Sequence, residues 1–147
     1  MRHRSRAGIA LAAGAVALGG AAPTHDVSVA VSGLRSAKGV VRACMTTDPV
    51  RFPRCAGDAG SYRLVVPAAA SVKLAFHGVT PGRYAIALLH DENGNGKADR
   101  AMGMMPTEGY GFSRDAPVRM APPKYDDAAF TVGREDISLA VKMRYLL

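Results

Sequence analysis

Polar side chains with the spacing of a cation-binding loop follow one apolar segment of the chain. Acid and amide groups alternate with other residues in the run His-Asp-Glu-Asn-Gly-Asn-Gly-Lys-Ala-Asp of residues 90–99. Alternate residues of a tightly turned loop point inward, and a hard cation such as Ca²⁺ takes roughly six to eight oxygen ligands. The pattern matches the first nine places of a calcium loop of the EF-hand type. It predicts a calcium site with ligands from Asp91, Asn93, Asn95, Asp99 and the backbone carbonyl of Lys97.

The calcium pattern is incomplete at its last place, where a bidentate glutamate is required. Met102 stands there, and the next acid along the chain is Glu108, which we expect to complete the ligand set. So few carboxylates predict weak affinity, on the order of 0.1 to 1 mM. A metal-free interpretation stays open, because Asn-Gly pairs are typical of tight turns and Asx side chains accept hydrogen bonds from their own turn.

Catalytic patterns are sparse in this sequence. The chain has no Gly-x-Ser-x-Gly and no His-Glu-x-x-His motif. His90, Asp91 and Glu108 are the residues that could line a small hydrolytic pocket, but neighbours on a strand face opposite ways. The sequence therefore predicts a protein that is not an enzyme, with a small periplasmic hydrolase as the alternative.

Two further groups of residues after the polar loop could contact other molecules. Tyr110 and Phe112 alternate with glycines, which suits a surface for an envelope protein or a glycan, or a loop that packs back over the fold. Met102, Met104, Met105 and Met120 are soft ligands, so handling of copper is a second alternative. Core methionines are far commoner than ligand methionines, which favours an apolar role.

The first residues have the composition of an export signal. Arg2, Arg4 and Arg6 precede an apolar run that ends in small residues. This order is typical of a Sec-type signal peptide over residues 1–21, with one domain over residues 22–147. We therefore expect a periplasmic or secreted protein with no transmembrane segment in the mature chain. Removing three arginines and no acid lowers the formal charge from +7 to +4, which argues against nucleic-acid binding.

The two cysteines, Cys44 and Cys55, can pair in an oxidising compartment. The segment between them contains Pro49 and Pro53 and is therefore a connection rather than a strand. We predict a disulfide bond, with two free thiols as the alternative.

The mature chain has the patterning of an all-β fold. About seven stretches alternate apolar and polar residues, and the clearest runs from Ile137 to Tyr145. The stretch from Tyr84 to Leu89 is apolar on both faces and is predicted to be central. Thr80-Pro81-Gly82-Arg83 predicts a type II turn that joins two strands as a hairpin. These observations predict an antiparallel β-sandwich of about seven strands.

The segment from Pro81 to Val132 contains several long motifs. They lie in a turn, two loops and a later segment: Pro81-Gly82-Arg83-Tyr84-Ala85, residues 90–99, Glu108-Gly109-Tyr110-Gly111-Phe112-Ser113, Pro122-Pro123 and residues 125–130. Through these residues the segment resembles a known bacterial family, domain of unknown function 2141. The resemblance extends more loosely to the strands from Val27. It implies a small secreted β-sandwich, similar to immunoglobulin-like and transthyretin-like modules, with no established activity.

The chain departs from the family pattern between the two loops. Met102-Gly103-Met104-Met105-Pro106 stands where the family tends to have Leu or Phe, Gly, Ile and Pro. The methionines thus replace aliphatic residues, which weakens the copper alternative. The extra residue makes the position of Glu108 relative to the polar loop less fixed.

Overall fold

The computed structural model describes residues 15–101 and 105–147. The first fourteen residues of the predicted signal peptide, together with Met102 and Met104, lie outside the described residues. Across the described part of the chain, we find no helix with the length and apolar character needed to cross a membrane.

The fold is all-β, as the alternating pattern predicts. The described residues form ten strands, three of them only two or three residues long: β1 (His25–Ser32), β2 (Val40–Thr46), β3 (Tyr62–Pro67), β4 (Val72–Val79), β5 (Gly82–Asp91), β6 (Arg100–Ala101), β7 (Met105–Pro106), β8 (Gly109–Phe112), β9 (Phe130–Val132) and β10 (Ile137–Lys142). A 3-10 turn at Ser113–Asp115 and one helical turn, α1 (Tyr125–Ala128), separate β8 from β9.

Two sheets form the sandwich. The first has the order β10-β1-β4, and the second has the order β3-β2-β5-β8 with β9 also paired to β5. Valines 27, 29 and 31 of β1 are fully buried, as are Leu74 of β4 and Ile86 of β5. Each such side chain stabilises the fold by roughly 1.5 to 3 kcal/mol relative to exposure. The β-sandwich prediction is confirmed, while the finer immunoglobulin-like or transthyretin-like topology stays a prediction.

The structure adds one parallel pair to the predicted antiparallel sandwich, and it contradicts the predicted hairpin. The strands β1 and β10 pair in parallel, Val27 opposite Ile137, so the sandwich is not antiparallel throughout. Nearly the whole chain separates these two strands, which supplies the long connection that a parallel pair requires. The segment around Gly82 is not a hairpin, because β4 lies in the first sheet and β5 in the second. Gly82 also lacks the positive φ of a type II turn.

The predicted disulfide between Cys44 and Cys55 is confirmed. It ties the segment after β2 to the outer face of the second sheet, where Phe52 contacts Phe112 and Tyr125 edge to face. A second, smaller apolar cluster forms there around these three rings. The cross-link therefore holds a loop that covers part of a sheet face which would otherwise be exposed.

Candidate functional site

The polar loop directly follows the central strand β5 and therefore lies at one end of the sandwich. β2 pairs with one edge of β5, and β8 pairs with it from Ala87 to His90. This confirms the central position predicted from its apolar faces. The loop of residues 91–99 then leaves β5, and the chain returns through β7 to Glu108. We call this loop, together with Glu108, the polar end.

His90 is fully buried on the inner side of β5. Its Nε2 lies 2.8 Å from the carbonyl oxygen of Lys38, and its Nδ1 lies 2.7 Å from the hydroxyl of Tyr145. Because a carbonyl only accepts, Nε2 donates to Lys38, and Nδ1 is paired with the Tyr145 hydroxyl. The Tyr145 hydroxyl in turn accepts from the backbone N–H of Arg35 at 3.2 Å. Both ring nitrogens are thus engaged in holding three segments together.

Asp91 is also fully buried, and its carboxylate faces a cation. Oδ2 accepts from Nε of Arg42 at 2.6 Å and from the backbone N–H of Gly96 at 2.8 Å, and Oδ1 accepts from the N–H of Asn95 at 3.1 Å. Burial raises the pKa of Asp91, but the Arg42 and Gly96 hydrogen bonds outweigh it and the net direction is downward. The carboxylate is therefore held charged inside the fold.

Three of the predicted ligands come together in the outer part of the loop. The amide of Asn93 donates to Asp99 at 2.6 Å, and the amide of Asn95 donates to both carboxylate oxygens of Asp99 at 2.9 Å. The amide oxygens of Asn93 and Asn95 accept backbone N–H groups of Asn95 and Lys97. Gly94 and Gly96 have φ of 69° and 76°, the left-handed region that glycine adopts without strain.

Glu108 lies on the opposite side of the loop and joins its two ends. It is 5% exposed, and its oxygens accept from the backbone N–H of Glu92 and of Asp99, each at 3.2 Å. Burial raises the pKa of Glu108, and repulsion from Asp99 and Asp91 adds to this direction. Glu108 therefore stabilises the loop by joining the backbone of Glu92 to that of Asp99.

Hydrogen bonds connect the six predicted calcium ligands in one network. The side chains of Asn93 and Asn95 bond Asp99, and Asp91 accepts from the N–H of Asn95 as well as from Arg42. Glu108 accepts from the N–H of Asp99. Among the described residues, no cluster of three or more His, Cys, Asp or Glu side chains is placed to hold a metal ion. The carbonyl of Lys97 belongs to an exposed part of the loop.

A second cation, Arg35, forms an ion pair with Glu92, the residue after Asp91. Arg35 forms an ion pair of 2.5 Å with Glu92, and its guanidinium lies 4.5 Å from the centre of the Tyr145 ring. Ser36 also donates to Glu92 at 2.9 Å. The Arg35 hydrogen bond lowers the pKa of Glu92 below its usual value. Arg35 thereby attaches Tyr145, near the end of the chain, to Glu92 at the polar end.

The predicted partner residues, Tyr110 and Phe112, lie on β8, a strand that the glycine-rich sequence concealed. Phe112 is 7% exposed and belongs to the smaller apolar cluster. Tyr110 is half-buried, and burial raises its pKa. Met120, one of the predicted soft ligands, is fully exposed on the segment between β8 and α1. Tyr110 is therefore the more accessible of the two aromatic residues.

Sequence reasoning missed three residues that organise the site. Arg42 lies on β2 and Tyr145 follows β10, and no local pattern links either of them to the loop. Ser113 links β5 to α1: its Oγ accepts from the N–H of Ile86 at 2.9 Å and donates to the carbonyl of Ala128 at 2.5 Å. The alternation of the sequence along β2 and from Ile137 to Tyr145 was the one available signal, since it predicted the faces of Arg42 and Tyr145.

Comparison with known proteins gives a family and no activity. No curated protein and no solved structure matches the chain significantly. A family model described as an uncharacterized protein conserved in bacteria matches residues 29–140, about three quarters of the sequence. The matched range contains most of the sandwich and the whole polar end. The chain therefore belongs to this bacterial family, the domain of unknown function 2141 (DUF2141).

Proposed function

We propose that this protein is an exported, non-catalytic β-sandwich that serves as a binding or structural module of the bacterial envelope. Residues 1–21 act as a Sec-type signal peptide, and the mature domain is periplasmic or secreted. The composition of the first residues and the Cys44–Cys55 disulfide support export, because such bonds persist in oxidising compartments.

The observation that carries the non-catalytic part is the hydrogen bonding of the three candidate catalytic residues. His90 uses both ring nitrogens, Asp91 accepts from Arg42 and two backbone groups, and Glu108 accepts two backbone N–H groups. A general acid or base needs a side chain that can reach a substrate proton. Residues that are buried and fully engaged in internal bonds support a structural role instead.

For the polar end we favour the metal-free form that the sequence left open. Arg42 supplies positive charge at Asp91, and its guanidinium would lie 3.8 Å from a β-carbon placed on Gly96. Backbone and amide hydrogens supply the other partners of the loop oxygens. Calcium binding stays the alternative for the same loop oxygens.

Export is tested by producing the full chain in a Gram-negative host, separating the periplasm and measuring the intact mass. We expect the periplasmic form to start at Ala22 and to lack two hydrogens through the disulfide. A chain that starts with Met followed directly by Ala22 is the control and should stay in the cytoplasm. An uncleaved cytoplasmic product of the full chain would contradict export.

Catalysis is tested on the purified mature protein with ester, phosphoester and peptide substrates. We expect no turnover above background. Turnover that is lost in His90→Asn while the melting temperature is retained would instead establish the hydrolase alternative.

A further inference from the structure

A groove of about 620 Å³ lies between the segment of residues 113–124 and α1, away from the polar end. Its walls include the exposed cationic side chains of Arg114, Arg119 and Lys124 and the proline rings at positions 117, 122 and 123. We call it the basic groove. Its size falls in the range of sites that accept small ligands or a few residues of a peptide, roughly 300 to 1,000 Å³.

The acids of the basic groove already have partners. Asp126 forms an ion pair of 2.7 Å with Arg83, and Asp127 accepts from the backbone N–H of Lys124 at 3.2 Å. In the described part of the chain, neither Arg119 nor Lys124 forms an ion pair. The lining of the groove has three cationic groups against two anionic groups, so its net charge is positive.

Backbone strain is concentrated in the same segment. In the described residues, three non-glycine residues have positive φ: Arg114 at 62°, Asp115 at 49° and Met120 at 58°. Such conformations persist only where surrounding contacts enforce them, and they cluster at binding sites. The Asp115 carboxylate accepts from the backbone N–H of Lys142 at 2.8 Å, which anchors the segment to β10. The segment is thus held in a costly conformation whose bonds do not involve the cations at Arg119 and Lys124.

The walls favour a narrow occupant over a flat surface. Prolines have a fixed φ and no backbone donor, so the rings at positions 117, 122 and 123 form stiff sides. Exposed cations between such walls reach the carboxylates of a single extended chain more readily than the headgroups of a flat membrane surface. Guanidinium groups also bind carboxylates in a planar, bidentate geometry.

From this charge, strain and shape we infer that the basic groove binds an acidic segment of an envelope polypeptide in extended conformation. The carboxylates of that segment contact Arg119 and Lys124, and its backbone lies between the proline walls. This assignment names the partner of the binding module proposed above and rests on it. Failure of the peptide to bind leaves the export result untouched, so the two proposals fail separately.

The test titrates the mature protein into a fluorescently labelled oligoglutamate peptide at low salt and follows the anisotropy. The Arg119→Gln/Lys124→Gln double variant should weaken binding about tenfold, because two exposed ion pairs are lost. The matched control is Lys73→Gln on β4, in the other sheet, and it should bind like the wild-type protein. Circular dichroism confirms that all three proteins melt alike.

Several results would overturn the proposal. Oligoglutamate that fails to bind would do so, as would equal weakening by Lys73→Gln, which indicates diffuse attraction. Preferential binding of anionic vesicles or polygalacturonate over the peptide would assign the groove to a membrane or a glycan. A peptide of oligoglutamine of the same length serves as the neutral probe and should not bind.

Discussion

Arg42 Nε donates to Asp91 Oδ2 at 2.6 Å, so a half-exposed cation on β2 compensates a fully buried carboxylate at the end of β5. The two residues lie on neighbouring antiparallel strands, close to the register pair of Val40 with Asp91. The same carboxylate also accepts from two backbone groups of the loop. One ion pair therefore links the second sheet to the polar end.

Arg42→Ala should destabilise the protein by about 2 to 3 kcal/mol, because it leaves the buried Asp91 charge without a cation. The measure is the free energy of unfolding in urea. Arg134→Ala removes an exposed arginine outside the polar end and is the matched control, expected within about 0.5 kcal/mol of wild type. A loss for Arg42→Ala no larger than that of the control would show that the pair contributes nothing.

The pH dependence of this variant has a defined sign. The folded-state pKa of Asp91 lies below the usual value of 3.8, so its contribution is present above that pH and is lost as pH falls through the folded pKa. Glu92, with its Arg35 partner, acts in the same direction. The stability difference between wild type and Arg42→Ala should therefore shrink below about pH 4. A difference that grows on acidification would contradict the ion pair.

Glu108→Gln tests whether Glu108 stabilises the loop by joining its two ends. The pH dependence of its effect should be opposite to that of Arg42→Ala. The amide keeps one acceptor and turns an N–H₂ toward a backbone N–H, so we expect a loss of about 1 kcal/mol. Glu108→Ala removes both acceptors and should cost more. Hydrogen exchange at the amides of Glu92 and Asp99 should rise in both variants.

The folded-state pKa of Glu108 is raised above 4.5, so more protons are bound in the folded state and its contribution falls as pH rises through that window. The penalty of Glu108→Gln should accordingly be larger near pH 4.5 than at pH 7. Urea unfolding at the two pH values measures it. An equal penalty at both would contradict the raised pKa.

Features that depend on local sequence could be predicted, whereas contacts between distant segments could not. Alternation placed the side chains of β1 and β10 on their correct faces, because burial of one face is a local property of a strand. The disulfide followed from the compartment implied by the first residues. Pairing register is a property of two distant segments, so the Arg42–Asp91 contact had no signal in either.

The glycines of β8 are a second example of a feature that local sequence does not predict. Glycine weakens intrinsic strand preference, so Gly109 to Phe112 had the composition of a loop. The structure uses these glycines for close packing: a β-carbon on Gly109 would lie 2.3 Å from the Tyr145 ring. A requirement of this kind depends on an aromatic residue that is thirty-six positions away, and local sequence does not contain it.

Gly109→Ala should therefore destabilise the protein by about 2 to 4 kcal/mol. The ring of Tyr145 must move, and its hydroxyl then loses the hydrogen bond to His90. Gly133→Ala is the matched control, since its β-carbon would meet nothing within 4 Å and its φ is not positive. Thermal melting followed by near-ultraviolet circular dichroism measures both. Equal stability of the two variants would contradict the packing of Tyr145 on β8.

Loss of the Cys44–Cys55 disulfide should cost about 3 kcal/mol, because closing a loop of this length restricts the unfolded chain. The measurement is urea unfolding of the wild-type protein with and without a phosphine reductant. The Cys44→Ala/Cys55→Ala variant should resemble the reduced protein and should not respond to reductant. A wild-type protein indifferent to reductant would mean that the cross-link adds no stability.

Calcium distinguishes the two interpretations of the polar end. In the metal-free form, millimolar calcium should leave the melting temperature of the wild-type protein unchanged, because Arg42 already compensates Asp91. Arg42→Ala should gain a calcium response, since it leaves an acid and several oxygens without that cation, and Arg42→Ala/Asp91→Asn should lose the response again. A saturable rise in the wild-type melting temperature that disappears in Asp99→Asn would instead establish the calcium site, with Asp99 as a ligand and Arg42 displaced by the ion.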